Sequence, residues 1–147
     1  FANSAPVEAL VERLCAEHSE PCGAFEFFSA DYCSPLPVRD ASCDLLVSMY
    51  AGPISEYCTR YVRPNGLLLV NASHGDAALA RLSDQWKLEA VVLPRDNEYF
   101  VESDNCETFM IPKRANDERK CTRTVLLRTQ KGFAYTKSAA AYVFRKR

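Results

Sequence analysis

Apolar residues follow two periods along this chain, and the change between them marks its elements. Leu45–Val47 and Leu67–Val70 are short unbroken runs rich in Leu and Val. Runs without alternation are the pattern of strands buried on both faces of a parallel sheet. Between them Ile54, Tyr57, Cys58, Tyr61 and Val62 recur at helical spacing and give one apolar stripe. Strand, crossover helix and second strand predict a right-handed βαβ unit. The fold class is therefore α/β, and ligands of open α/β sheets sit beyond the carboxyl ends of the strands.

The same reading extends outward. Val7, Leu10, Val11, Leu14 and Cys15 form another helical stripe, with Ser4 as N-cap and Pro6 in the first turn. Pro21 and Gly23 end it, and Phe25–Ser29 reads as a short strand stopping at Asp31. After Val70 the polar loop Asn71–Asp76 leads into an alanine-rich helix reaching Leu82. Trp86–Leu93 predicts the next strand, closed by Pro94. Glu98–Phe100 and Thr108–Ile111 flank Glu102–Asn105, a predicted hairpin turn. Pro112–Lys120 is loop or the start of a helix. Thr122–Gln130 carries strand-like Thr and Val, but Val125, Leu126 and the Lys131-Gly132 stop assign it to helix. Ala139–Phe144 is the closing strand.

A chain of 147 residues, 48% of them hydrophobic, suits a single domain with its own core. The net charge of −1 excludes a uniformly basic surface, although Lys and Arg crowd the last third. No apolar run approaches the roughly 20 residues that span a bilayer, so no membrane partner is expected. The seven cysteines are odd in number and form no C-x-x-C pair. Reduced, buried thiols in a cytoplasmic protein are the reading they favour over a disulfide framework or a zinc site.

Ser29-Ala30-Asp31, then Leu36-Pro37, then Cys43-Asp44-Leu45-Leu46-Val47, then Tyr61-Val62-Arg63-Pro64-Asn65-Gly66 come in an order and spacing that resembles the central and C-terminal part of class I S-adenosylmethionine-dependent methyltransferases. The resemblance covers about fifty residues, and the closing AAAYVF strand fits the family's antiparallel seventh strand. It implies a three-layer Rossmann-like sheet, mostly parallel with an antiparallel last strand and lacking its N-terminal strands. Residues 94–135 would form a cap-like insertion. Asn65 stands where the family usually has glycine, a tolerable change because Asn accepts a left-handed backbone. The family's G-x-G-x-G loop and ribose-binding acid have no counterpart: the five glycines are all isolated. The chain thus reads as a fragment whose missing parts would lie upstream of Phe1. An open sheet edge would favour pairing with a second copy.

The implied cofactor is S-adenosylmethionine. By resemblance Asp31 accepts from the adenine amino group, Tyr32 lies beside the ring, and Ser48 and Met49 line the methionine portion. Otherwise Asp31 is a loop acid capping the next turn. Asp44 opens its strand at the end away from the ligand and satisfies loop amides. Tyr50 stacks on or hydrogen-bonds a substrate, or else is buried against the following helix. Asn71, Ser73, His74 and Asp76 cluster after the fifth strand, and His74 has the side chain of a general base near neutrality. The alternative makes Asn71 and Ser73 partners of loop backbone and His74 a surface residue. Arg119, Lys120 and Arg123 would share one helical side, facing phosphates or plain solvent. Tyr99, Phe100, Phe109, Phe133 and Tyr135 give the insertion a small core or a substrate cover. The function implied is methyl transfer to an acceptor that is a small molecule, protein or nucleic acid. Its competitors are a non-catalytic methyltransferase-like binding module and another Rossmann-type oxidoreductase.

Overall fold

The computed structural model describes residues 5–19, 21 and 23–147, without the side chain of Ala115. Ser4, assigned as an N-cap, and Cys22 lie outside the described residues. The chain divides into two compact units, Phe1–Pro37 and Val38–Arg147. In the first, helix α1 (Ala5–His18) has the expected extent, and Val7, Leu10 and Leu14 of its stripe remain exposed. The strand expected at Phe25–Ser29 is not formed. A strand exists only through a ladder, and among the described residues nothing pairs with this segment.

The second unit is built on one five-stranded mixed sheet. Its strands are β1 (Cys43–Ser48), β2 (Val62–Val70), β3 (Trp86–Arg95), β4 (Glu98–Glu102) and β5 (Ala141–Lys146), in the order β1-β2-β5-β3-β4. β1 and β2 are parallel, from Leu45 opposite Leu67 to Ser48 opposite Val70. The remaining ladders, β2–β5, β5–β3 and β3–β4, are antiparallel. The expected antiparallel last strand is present, but the expectation of a mostly parallel sheet is corrected to a single parallel ladder. Helices follow the strands: α2 (Ile54–Tyr57) with a 3-10 turn at Thr59–Tyr61, α3 (Asp76–Leu82), α4 (Ala115–Lys120) and α5 (Arg123–Thr129).

One face of the sheet carries the core. Leu68, Val70, Tyr142, Phe144, Leu88 and Val91 pack with Ala77, Ala80, Trp86, Cys106 and Met110. Trp86 donates its indole N–H to Thr59 Oγ1 at 3.0 Å, so the one buried indole is satisfied. On the opposite face Leu45 is 51% and Val47 53% exposed, which corrects the expectation of burial on both faces. β1 is an edge strand, and Leu45 and Val47 alternate away from the core that takes Leu46 and Ser48.

Turn chemistry explains the other departures. Asn65 has φ 63° as its side chain permits, and a Cβ on Gly66 would meet Val62 Cγ1 at 2.6 Å. Pro64-Asn65-Gly66 is accordingly an irregularity inside β2, not a turn before it. The hairpin lies one element earlier than the residue pattern suggests. Asp96 and Asn97 both have positive φ, as a type I′ turn requires, and join β3 to β4. Pro94 is tolerated in β3 because the β5 ladder ends at Val92. The segment expected as a second hairpin strand, Thr108–Ile111, lies largely in a 3-10 helix, Cys106–Met110.

The two faces predict different costs of truncation. Leu68→Ala, at a site with 0% exposure, should lower the unfolding free energy by about 2–5 kcal/mol. Leu45→Ala should change it by about 0.5 kcal/mol or less. Urea denaturation checks both, and equal costs would contradict the one-sided core.

Candidate functional site

At the carboxyl ends of β1 and β2 the chain makes two turns, and both require unusual backbone. After β1, Tyr50 has φ 58° and Gly52 φ 91°; after β2, His74 has φ 55° and Gly75 φ 80°. Left-handed backbone at non-glycine residues persists only where surroundings over-determine it. The surroundings here are buried polar side chains.

Asp76, 1% exposed, is the hub. Ser48 Oγ donates to its Oδ2 at 2.5 Å, and Ser55 donates to its Oδ1 through Oγ at 2.5 Å and through its backbone N–H at 3.0 Å. The end of β1, the start of α2 and the start of α3 thus converge on one carboxylate. Burial pushes the Asp76 carboxyl above its ordinary range, and the hydrogen bonds from Ser48 and Ser55 pull it partly back. Asn71, also buried, does the same for the turns themselves. Its Oδ1 accepts the N–H of Tyr50 at 3.4 Å and the N–H of Ser73 at 3.2 Å, bridging the two loops.

The outcome for each residue of interest is plain. Tyr50 is 74% exposed, so the reading that buries it against the following helix is overturned. His74 and Met49 are exposed on the same pair of loops. Ser48 is buried with its hydroxyl committed to Asp76. Asn71 and Ser73 do satisfy loop backbone, as the alternative reading held. Asp44 forms an exposed ion pair with Arg63. Asp31 and Tyr32 belong to the first unit, where Asp31 is exposed and its Oδ1 accepts the Cys33 N–H at 2.9 Å in a tight turn. Arg119, Lys120 and Arg123 do not share a helical side, because α4 ends at Lys120 and α5 begins at Arg123. Arg123 instead pairs with Glu56 of α2.

Two residues escaped the sequence reading. Ser55 sits in a helical stripe with nothing to mark its N–H and hydroxyl as carboxylate donors. Gly132 was visible as a helix stop, but its role is steric: a Cβ there would lie 2.1 Å from the Ala72 carbonyl oxygen. The chain after α5 therefore closes directly on the loop that carries His74.

Chemically, the arrangement presents a phenol and an imidazole on a shelf of two turns that Asn71 joins, beyond two parallel strands. It can accept a proton from, or hydrogen-bond, a nucleophile lying across that shelf.

Replacing the hub separates its charge from its shape. Asp76→Ala leaves the Ser55 N–H and two hydroxyls unpaired and should cost about 2–4 kcal/mol. Asp76→Asn keeps the acceptor for Ser55 and should cost much less. Because the folded carboxyl is raised, its favourable contribution is complete below about pH 4, the unfolded value. It is lost as pH rises through the folded value. The stability difference between wild type and Asp76→Asn should therefore move toward the variant as pH rises from about 4 through the folded value, and stay level above it. Chemical denaturation across pH reads it; a difference independent of pH would contradict a buried, titrating Asp76.

No family model matches the chain, and no curated protein or solved structure matches it either.

Proposed function

We propose that this chain supplies the acceptor-side wall of a site for methyl transfer from S-adenosylmethionine. The observation that carries the reading is the pair of left-handed turns at the carboxyl ends of β1 and β2, held by Asn71 and Asp76, with Tyr50 and His74 exposed upon them. The antiparallel closing strand β5, seated between β2 and β3, agrees with the family pattern that the sequence resembles. The finer assignment of the sheet to a three-layer Rossmann-like methyltransferase fold belongs to this proposal.

The residues present fit the cofactor only in part. Within the first unit Asp31 is an exposed acid of the type that accepts from an adenine amino group, and within the second Met49 offers an exposed thioether chain beside the turn. The glycine-rich approach to the methionine portion and the carboxylate for the ribose hydroxyls are not in these 147 residues. The chain's own contribution is positional: Tyr50 orients the acceptor, and His74 takes its proton where the nucleophile needs one. Holding reactants in line accounts for most of the acceleration in such chemistry.

One observation favours the competing reading, a methyltransferase-like module that binds without catalysis. The polar groups with the most defined geometry are all buried and committed: Ser48 and Ser55 to Asp76, and Asn71 to the N–H groups of Tyr50 and Ser73. They build a scaffold, and only His74 and Tyr50 remain for chemistry.

Titration of the chain with S-adenosylmethionine, followed by amide chemical shifts, tests the proposal. Expected is millimolar binding, about −4 kcal/mol, with shifts concentrated at Met49–Tyr50 and Ser73–His74. Micromolar affinity would contradict the partial fit, and shifts absent from both turns would remove the methyl-transfer reading.

A further inference from the structure

Cations are not spread evenly over this chain. Between Pro112 and Lys137 they outnumber acids eight to two, whereas the whole chain carries 18 against 19. Within that segment two stretches of chain are zipped together: Pro112 bridges to Tyr135, and Lys113 donates its N–H to the Ala134 carbonyl at 2.8 Å. The zipper brings Lys113 and Arg114 to the rim of a groove of about 590 Å³, whose remaining walls are Asp117, Gly132, Phe133 and Ala134. Lys113 and Arg114 are exposed, and among the described residues neither has an ion-pair partner. Phe133 is half-buried, resting on the Ala78–Leu79–Leu126 cluster that locks α5 to α3.

The groove is also tied to the candidate site. Gly132 forms part of its wall, and a Cβ there would meet the Ala72 carbonyl oxygen at 2.1 Å and the Gly75 nitrogen at 3.4 Å, two groups that flank His74. Gly132 is thus the residue that links the groove to the loop presenting His74.

We propose that the Lys113–Arg114–Phe133 groove binds a single-stranded polynucleotide, whose bases it delivers toward the His74 turn. Cations without an ion-pair partner and an aromatic side chain in the same lining suit a backbone of phosphates carrying planar bases. An acidic polypeptide would use the cations and make no use of the half-buried aromatic ring of Phe133 in the same lining. A duplex would hide the base faces that Phe133 could stack on. Asp117 in the same wall opposes purely electrostatic capture and places more of the selectivity on stacking. As a statement about the methyl acceptor this rests on the function proposed above, whereas strand binding in the groove stands without it.

The experiment is fluorescence anisotropy of a labelled oligouridylate with the full chain, without S-adenosylmethionine, over a series of salt concentrations. Binding should weaken steadily with salt. The Lys113→Ala/Arg114→Ala double variant should bind at least about tenfold more weakly. Its log–log salt slope should fall by about 1.4, that is about 0.7 for each single-strand phosphate no longer neutralised. Phe133→Leu should bind about five- to hundredfold more weakly with the slope unchanged, the equivalent of one stacked base. Thermal melting shows that each variant folds, and the surface variant Lys87→Ala should bind as wild type does. Unchanged binding by a folded double variant would overturn the proposal. So would polyglutamate or duplex RNA binding as tightly as the oligouridylate. Loss of the cofactor shift pattern alone would sink the methyl-transfer reading and leave strand binding intact.

Discussion

A single buried carboxylate holds the working end of this fold together. Asp76 receives Ser48 from the last position of β1, Ser55 from the first turn of α2, and itself opens α3. A carboxylate removed from water is costly unless its oxygens are satisfied. Here three donors from two separate elements meet that need, so the cost of burial enforces their positions. Without this hub, the parallel pair would still form its ladder, but the turn after β1 would lose its tie to α2 and α3, leaving Asn71 alone to join the two turns.

From that constraint the site follows by short steps. The hub seats the turn after β1 against α3, and Asn71 then ties the turns after β1 and β2 to each other through one oxygen. Held this way, Tyr50 and His74 keep left-handed backbones that would relax in a free loop. Gly75 and Gly132 matter for the same reason. Larger side chains at either position would push the segment after α5 away from the His74 turn. The reactive-looking groups are therefore the outermost layer of a structure whose precision lies one layer beneath.

How much of this was legible beforehand differs by element. Leu67–Val70, the Asp76–Leu82 helix, Trp86–Leu93 and the closing strand could be read from local pattern, because burial and periodicity agree there. The segment Phe25–Ser29 could not, since its apolar residues satisfy a strand's composition but not its need for a partner. Leu45 and Val47 misled in the opposite way: their ladder is real, while their outer face is uncovered. At the hairpin, acid-rich Glu102–Asn105 looked more turn-like than Asp96–Asn97. The choice was made by backbone φ, which composition only hints at.

The candidate residues Asn71, Ser73, His74 and Asp76 were visible as a polar loop at a strand end, and the structure does bring them together. Their division of labour was not visible. Asp76 looked like a helix start and is the hub; Ser48 looked like a cofactor contact and is a buried donor. Whether a polar side chain faces solvent or core depends on distant elements, and Ser55 is linked to Asp76 across 21 residues of sequence. Amide hydrogen exchange at Ser55, Tyr50 and Ser73 measures that linkage most directly. If buried acceptors hold the two turns, the Ser55 N–H should exchange as slowly as the interior of β2, with Tyr50 and Ser73 protected beyond ordinary loop amides. Exchange of all three at the rate of an unstructured loop would show that the turns are not held, and the site with them would be lost.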